Sequence, residues 1–169
     1  WHLLALKANQ KKKTRNKEDL MIMKLSKNQL ANFILSVCLS VLTLVSIILY
    51  AVNKSLPYFT EANVSSQIIW FLVMALLIAL ANIAVGFTPL KDNKIAKLVL
   101  DLLSILATFF LVGAAVYFLS DRVYYYGIAL FSDLEGGNPV ARSSCIGAIV
   151  GTVFMLVSGV VSIVTNFLS

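Results

Sequence analysis

The sequence has few charged residues, only one histidine and two cysteines, and each scarcity excludes a class of protein. Only 13% of its 169 residues are charged and 59% are hydrophobic, whereas a soluble domain has about 25% charged and about 45–50% apolar residues. We therefore exclude a water-soluble globular enzyme. Because His2 is the only histidine, two histidines cannot ligate a haem inside a membrane.

The sequence also lacks the usual motifs of catalysis and metal binding. It has no glycine-rich phosphate loop, no nucleophile beside a base and no cluster with the spacing of metal ligands. Cys38 and Cys145 fall at different depths of their helices, so we expect two buried thiols and no disulfide. The sequence thus predicts no enzymatic activity, no cofactor and no metal site.

Four apolar segments are each long enough to cross a bilayer as a helix, which requires about 20 residues. None alternates with the period of two that a barrel strand would show, so helices are predicted. The expected fold is an all-α integral membrane four-helix bundle, one domain over residues 26–169 that follows a basic tail over residues 1–25. The predicted spans cover residues 30–51, 68–87, 98–119 and 145–164.

Basic residues are distributed unequally along the chain. Residues 1–27 have eight basic and two acidic side chains, a net charge of +6, whereas residues 28–169 have six of each. Eleven of the basic residues fall in residues 1–27 and in the loop after span two, and three fall in the remaining loops. Because Lys and Arg are retained on the cytoplasmic side, both termini are predicted to be cytoplasmic. All six tyrosines then lie toward the outer side, where amphipathic rings favour the headgroup layer.

The first twenty residues allow three interpretations. Residue 1 is Trp, whereas Met21 and Met23 precede an ordinary start for a first span. Residues 1–20 are then sequence upstream of the true start, the cytoplasmic end of a larger protein, or a native basic tail. Nucleic-acid binding is not expected, because the basic run is short and has no interleaved aromatic residues.

Asp101 is the only ionisable residue inside a predicted span, and intramembrane carboxylates often mark ion or proton paths. Lys97 lies four residues earlier on the same helical face, so we expect an ion pair with the lysine extended toward the surface. Asn82 in span two lies at a similar depth and is predicted to hydrogen-bond to a neighbouring helix. A transport or gating role for these residues is the alternative.

Small residues follow one face of span one and one face of span four. Such faces let two backbones approach closely, and in span four two glycines have the GxxxG spacing. We predict helix packing, within the chain or across a dimer, with a polar path along span one as the alternative. The predicted packing residues are Ser36, Ser40, Thr43, Gly147, Gly151, Ser158 and Ser162.

The segment from Ser120 to Val140 is the longest predicted outer connection. Because functional contacts often lie in loops on a rigid scaffold, it is the best candidate for a partner or ligand contact. The alternative is an amphipathic surface segment that its tyrosines hold at the headgroups. The candidate contact residues are Tyr124, Tyr125, Tyr126, Asp133 and Glu135.

Two stretches of the sequence carry a resemblance. They comprise Met23–Asn53 with Tyr58 and Phe59, and Asp121–Val123 with Ser132–Leu134 and the Gly147–Gly151 helix. Together they resemble a group of small four-span membrane proteins from anaerobic gut Firmicutes. The resemblance implies a bacterial cytoplasmic membrane. It implies no particular activity, and no functional residue is carried over from it.

Two functions follow as predictions. The first is a non-enzymatic accessory, anchor or scaffold subunit that acts through helix packing and the outer connection. Its expected partners are the lipid bilayer and either a second copy or another membrane subunit. The alternative is a small oligomeric transporter or channel that uses Asp101 and the polar stripe of span one.

Overall fold

The computed structural model of the chain is all-helical over the part that it describes. No β-strand occurs there, and four helices are long and apolar enough to cross a membrane. The prediction of four apolar helices is confirmed, and this is the architecture of a multi-pass membrane protein. The described residues are 30–59, 65–86, 94–132 and 137–168.

The second helix matches its predicted span to within one residue at each end, whereas the other three helices extend beyond theirs, because a span inferred from hydropathy stops where polar residues begin. Backbone hydrogen bonds continue past that point unless Pro or Gly interrupts them. The predicted basic tail, Asp133 and Glu135 lie outside the described residues. The elements are α1 (Leu30–Lys54), a 3-10 turn (Pro57–Phe59), α2 (Gln67–Gly86), α3 (Lys94–Phe131) and α4 (Pro139–Leu168).

The largest difference from the predicted boundaries is at the end of α3. Residues 120–131, which the sequence suggests are part of an outer connection, continue the helix without a break. The three consecutive tyrosines therefore lie on a helix, where successive side chains point about 100° apart. They cannot form one continuous contact surface in the way that a loop would allow.

Side chains from the loops and from neighbouring helices fix where α2 and α4 begin. The Asn138 side-chain oxygen accepts hydrogen bonds from the backbone N–H groups of Val140 (3.0 Å) and Ala141 (3.3 Å), so it caps α4 in front of Pro139. Before α2, the backbone N–H and the hydroxyl of Ser65 donate to the Asp121 carboxylate at 2.9 and 3.2 Å. The start of α2 is thereby joined to the far part of α3.

α3 packs antiparallel to both α2 and α4, and α1 packs antiparallel to α4 while its C-terminal part also contacts α3. Phe71 of α2 stacks on Phe110 of α3 with ring centroids 5.4 Å apart. The hydroxyls of Thr108 in α3 and Ser162 in α4 lie 2.7 Å apart. The Asn53 amide of α1 donates to the Ser144 carbonyl of α4 at 3.2 Å.

The GxxxG face of α4 contacts helices of the same chain. A Cβ atom added at Gly151 would lie 3.1 Å from a ring carbon of Phe118 in α3 and 3.8 Å from the Cβ of Leu49 in α1. A Cβ at Gly147 would lie 3.8 Å from the Asn53 amide nitrogen. Because α1 and α3 occupy this face, it contributes to packing within the chain.

Replacing Gly151 with leucine is expected to lower the free energy of unfolding by about 1–3 kcal/mol, because the larger side chain overpacks the contact with Phe118. The matched control is Gly127→Leu, since nothing lies within 4 Å of a Cβ at Gly127 on the exposed face of α3. Thermal stability of the purified proteins in detergent is the measurement. Equal thermal midpoints for the two variants would contradict the close contact.

Candidate functional sites

Polar side chains inside the bundle form two clusters, one toward each end. The end at which α1 and α3 finish holds the Pro57–Phe59 turn and is called the Pro57 end. The opposite end, where α3 begins, is called the Lys94 end. An apolar layer of fully or almost fully buried side chains separates the clusters, and it contains Leu72, Ala75, Leu111, Ala114, Ala115 and Met155.

The cluster at the Lys94 end joins three helices by hydrogen bonds. The Asn82 amide of α2 donates to the Ser104 hydroxyl of α3 at 2.7 Å. The Thr108 hydroxyl donates to the Ser104 carbonyl at 3.2 Å, which leaves its lone pairs for Ser162 and for the Asn166 amide at 3.4 Å. These hydrogen bonds together connect α2 through α3 to α4.

Sequence reasoning identified Asn82 and Ser162 in this cluster and missed its other members. Ser104 and Thr108 are four residues apart in α3, as are Ser162 and Asn166 in α4, so each pair lies on one helical face. That spacing is the signal that could have found them. Asp101 lies one turn before Ser104 and is half-buried, whereas Lys97 is exposed. The expected ion pair between these two residues stays a prediction.

The polar stripe of α1 is buried and its hydroxyls bond to their own helix. Ser40 donates to the Ser36 carbonyl at 3.0 Å, and Thr43 donates to the Leu39 carbonyl at 2.8 Å. Ser158 on α4 does the same toward the carbonyl four residues earlier. Small hydroxyl residues that bond in this way need no water partner. The stripe therefore has the hydrogen-bond pattern of a packing face.

The cluster at the Pro57 end surrounds Arg122, the largest fully buried side chain among the described residues. Its guanidinium carbon lies 4.0 Å from the centroid of the Phe59 ring and 5.8 Å from that of Phe118. Tyr50 packs edge-on against Phe118, and Tyr125 packs edge-on against Phe59. The cation thus lies in an aromatic enclosure built from α1, the 3-10 turn and α3.

None of the three Arg122 nitrogens has a hydrogen-bond partner among the described residues, and the same holds for the Tyr50 hydroxyl. Asp121, the adjacent acid, directs both carboxylate oxygens toward Ser65. Sequence reasoning counted Arg122 only as an outer-side charge. The available signal was an arginine at the end of an apolar run, four residues after Phe118 and just before three tyrosines.

The candidate contact residues of α3 differ in their surroundings. Tyr124 is exposed, Tyr125 packs on Phe59, and Tyr126 is half-buried beside Thr152. Both cysteines are free. Cys145 is buried as expected, but the expectation for Cys38 is wrong, because Cys38 lies on the outward face of α1 where an apolar thiol can face lipid.

Comparisons with known proteins give no further identification: no family model, no curated protein and no solved structure matches the chain. The resemblance to small four-span proteins stays a prediction. Among the described residues, no group of three or more His, Cys, Asp or Glu side chains could hold a metal ion. The function is therefore argued from the two clusters and from the helix surfaces.

A double-mutant cycle on Thr108→Val and Ser162→Ala is expected to give a coupling energy of about 0.6 kcal/mol, the average for hydrogen bonds between membrane helices. The two hydroxyls lie 2.7 Å apart and join α3 to α4. Unfolding of the four proteins in mixed micelles with increasing denaturing detergent measures the coupling. The control cycle pairs Thr108→Val with Thr165→Val, whose hydroxyl bonds to its own helix. Equal coupling in both cycles would contradict the proposed link.

Proposed function

We propose that the chain is a non-enzymatic integral membrane protein, an accessory, anchor or scaffold subunit of a bacterial cytoplasmic membrane. One observation carries the proposal: outside the Arg122 cluster, the buried hydroxyls and amides mainly bond to backbones or join helices. Ser40 and Thr43 bond to their own helix, and Asn53 joins α1 to α4. Polar atoms used in this way rigidify a bundle and do not line a path for solutes.

The apolar layer between the clusters is the second support. Leu72, Leu111 and Met155 are fully buried at this level. A solute path between the two ends would have to open these contacts. A rigid bundle that presents apolar helix faces to lipid, or to another membrane subunit, needs no such opening.

The outward face of α1 is the surface that we assign to a partner subunit. Val41, Leu44 and Ile48 are each about half exposed there, and they follow one another at helical spacing. Because lipid tails are as apolar as these side chains, a partner helix would bind by close van der Waals packing. The inward face of the same helix already contacts α4.

The charge distribution supports an orientation with the Pro57 end outside and both termini inside. Lys94 and Lys97 lie at the Lys94 end, where α1 also begins, whereas Lys54, Arg122 and Arg142 are the only described basic residues toward the Pro57 end. Lys and Arg near the ends of spans are retained in the cytoplasm.

A small oligomeric transporter or channel is the second candidate. The observation in its favour is the cluster at the Lys94 end, where Asp101 lies one turn from the Asn82–Ser104 hydrogen bond. An intramembrane carboxylate near hydroxyl and amide oxygens has the chemistry of a proton or cation site. A transporter or channel requires water at the α1 stripe or at Asp101, whereas an accessory or scaffold subunit does not.

Cysteines placed at Ser40 and Thr43 are expected not to react with membrane-impermeant thiol reagents, because both positions are buried against neighbouring helices. The experiment uses a Cys38→Ala background, since the native thiol at that position is exposed. Lys54→Cys, at an exposed position of the Pro57 end, is the positive control. Rapid labelling at both stripe positions would favour the transporter.

Mild-detergent purification from the native membrane is expected to yield a complex with a stoichiometric foreign subunit, identified by mass spectrometry and by the intact mass. Leu44→Trp on the outward face of α1 is expected to reduce the recovered subunit at least several-fold. Ile105→Trp, on an equally apolar and exposed face of α3, is the control. A bare monomer or a homo-oligomer, together with liposome flux that Asp101→Asn abolishes, would favour the second candidate.

A further inference from the structure

The Arg122 cluster is not explained by helix packing. Arg122 is 0% exposed, and its nitrogens have no hydrogen-bond partner in the described part of the chain. Buried charges in proteins are normally paired, and inside a membrane an unpaired cation is especially unfavourable. The Phe59 ring contacts the face of the guanidinium, and this contact does not use the N–H donors, which lie in the guanidinium plane.

We propose that Arg122, together with the hydroxyl of Tyr50, binds a single phosphate group at the Pro57 end of the bundle. The planar guanidinium fork donates two parallel hydrogen bonds to phosphate oxygens and is the side chain best suited to this task. Tyr50 is 3% exposed and its hydroxyl has no partner among the described residues. Its ring packs edge-on against Phe118, whose centroid lies 5.8 Å from the guanidinium carbon of Arg122. The Tyr50 hydroxyl supplies a third donor from α1.

The neighbouring acid, Asp121, attracts the Arg122 cation electrostatically but accepts no hydrogen bond from it. The two carboxylate oxygens of Asp121 accept the hydrogen bonds of Ser65, so they hold α2 and leave the guanidinium donors unused. Lys54 and Arg142 are exposed at the same end. Their positive charges raise the local concentration of anions around Arg122.

The position of Arg122 along α3 accounts for a phosphate as the ligand. Arg122 follows Asp101 by 21 residues on one helix, which corresponds to about 31 Å at 1.5 Å per residue. The hydrocarbon core of a bilayer is about 30 Å thick. A helix that crossed the bilayer without tilt and had Asp101 at one boundary would bring Arg122 to the level of the phosphate groups in the opposite leaflet. The phosphate comes from a lipid headgroup or from solution, and both have the same chemistry.

The first test titrates the purified full chain in detergent with inorganic phosphate and follows its thermal midpoint. Sodium chloride at equal ionic strength controls for screening. We expect a saturable rise of the midpoint with phosphate, since a ligand that binds only the folded state stabilises it. Arg122→Gln is expected to abolish the rise, whereas Arg142→Gln, which removes the same charge from an exposed position of the same end, retains it.

The second test separates the two sources of the phosphate. The chain is reconstituted into vesicles of phosphatidylglycerol or of a glucosyl diacylglycerol, which has no phosphate, and is then extracted for native mass spectrometry. Retention of phosphatidylglycerol by the natural chain but not by Arg122→Gln identifies the lipid headgroup. Stabilisation by inorganic phosphate without retained lipid identifies the soluble anion. The absence of both effects overturns the proposal.

Two further variants keep the proposal testable if Arg122→Gln fails to fold. Arg122→Met replaces a buried cation that has no hydrogen-bond partner by an apolar side chain. The variant is therefore expected to fold with an unchanged or higher thermal midpoint, and phosphate is expected not to change that midpoint. Tyr50→Phe keeps the ring against Phe118 and is expected to weaken phosphate binding about 10-fold, the loss of one charge-assisted hydrogen bond.

The remaining outcome concerns a carboxylate of the chain as the partner of Arg122. The acid to test is Glu61, which follows Phe59 by two positions in the sequence and lies outside the described residues. In that case Glu61→Gln would lower the thermal midpoint as strongly as Arg122→Gln, and phosphate would have no effect on the natural chain. This pair of results overturns the proposal. An unchanged phosphate response in Glu61→Gln supports it.

Discussion

The interior of a membrane-spanning bundle offers no water, so each buried polar group must find its hydrogen-bond partner within the protein. Most of the described architecture follows from this constraint. Ser40 and Thr43 bond to their own helix, Thr108 and Ser162 bond across two helices, and Asn53 reaches the α4 backbone. The same groups that make the chain compatible with a bilayer therefore also hold its helices in register.

Arg122 is the large exception to this constraint, because its nitrogens have no hydrogen-bond partner among the described residues. Neighbouring residues that do have such partners position it. Asp121 points toward Ser65 and fixes α2, so the next side chain, about 100° around the helix, is directed into the bundle. Phe59 and Phe118 then cover the guanidinium. Such an arrangement keeps a cation without a hydrogen-bond partner, among the described residues, at the end of an apolar interior.

Several features could be predicted because they depend on local sequence. The apolar runs give the four helices, and the spacing of Gly147 and Gly151 predicts a face for close helix contact. The end of α3 could not be placed, because hydropathy falls at Ser120 while the helix continues to Phe131. The exposed position of Cys38 could not be predicted either, because a span that is apolar on all sides does not indicate which of its faces is directed toward lipid.

The sequence by itself determined the helical class, the presence of four helices long and apolar enough to cross a membrane, and the asymmetry of basic charge, because these follow from chain composition and from the thickness of a bilayer. Only the tertiary structure decided which polar residues meet. Thr108 joins Ser162 across 54 positions, and Phe59 meets Arg122 across the whole of α2. Such contacts arise from the way in which four helices pack around one another, and the local pattern of any single helix does not contain that information.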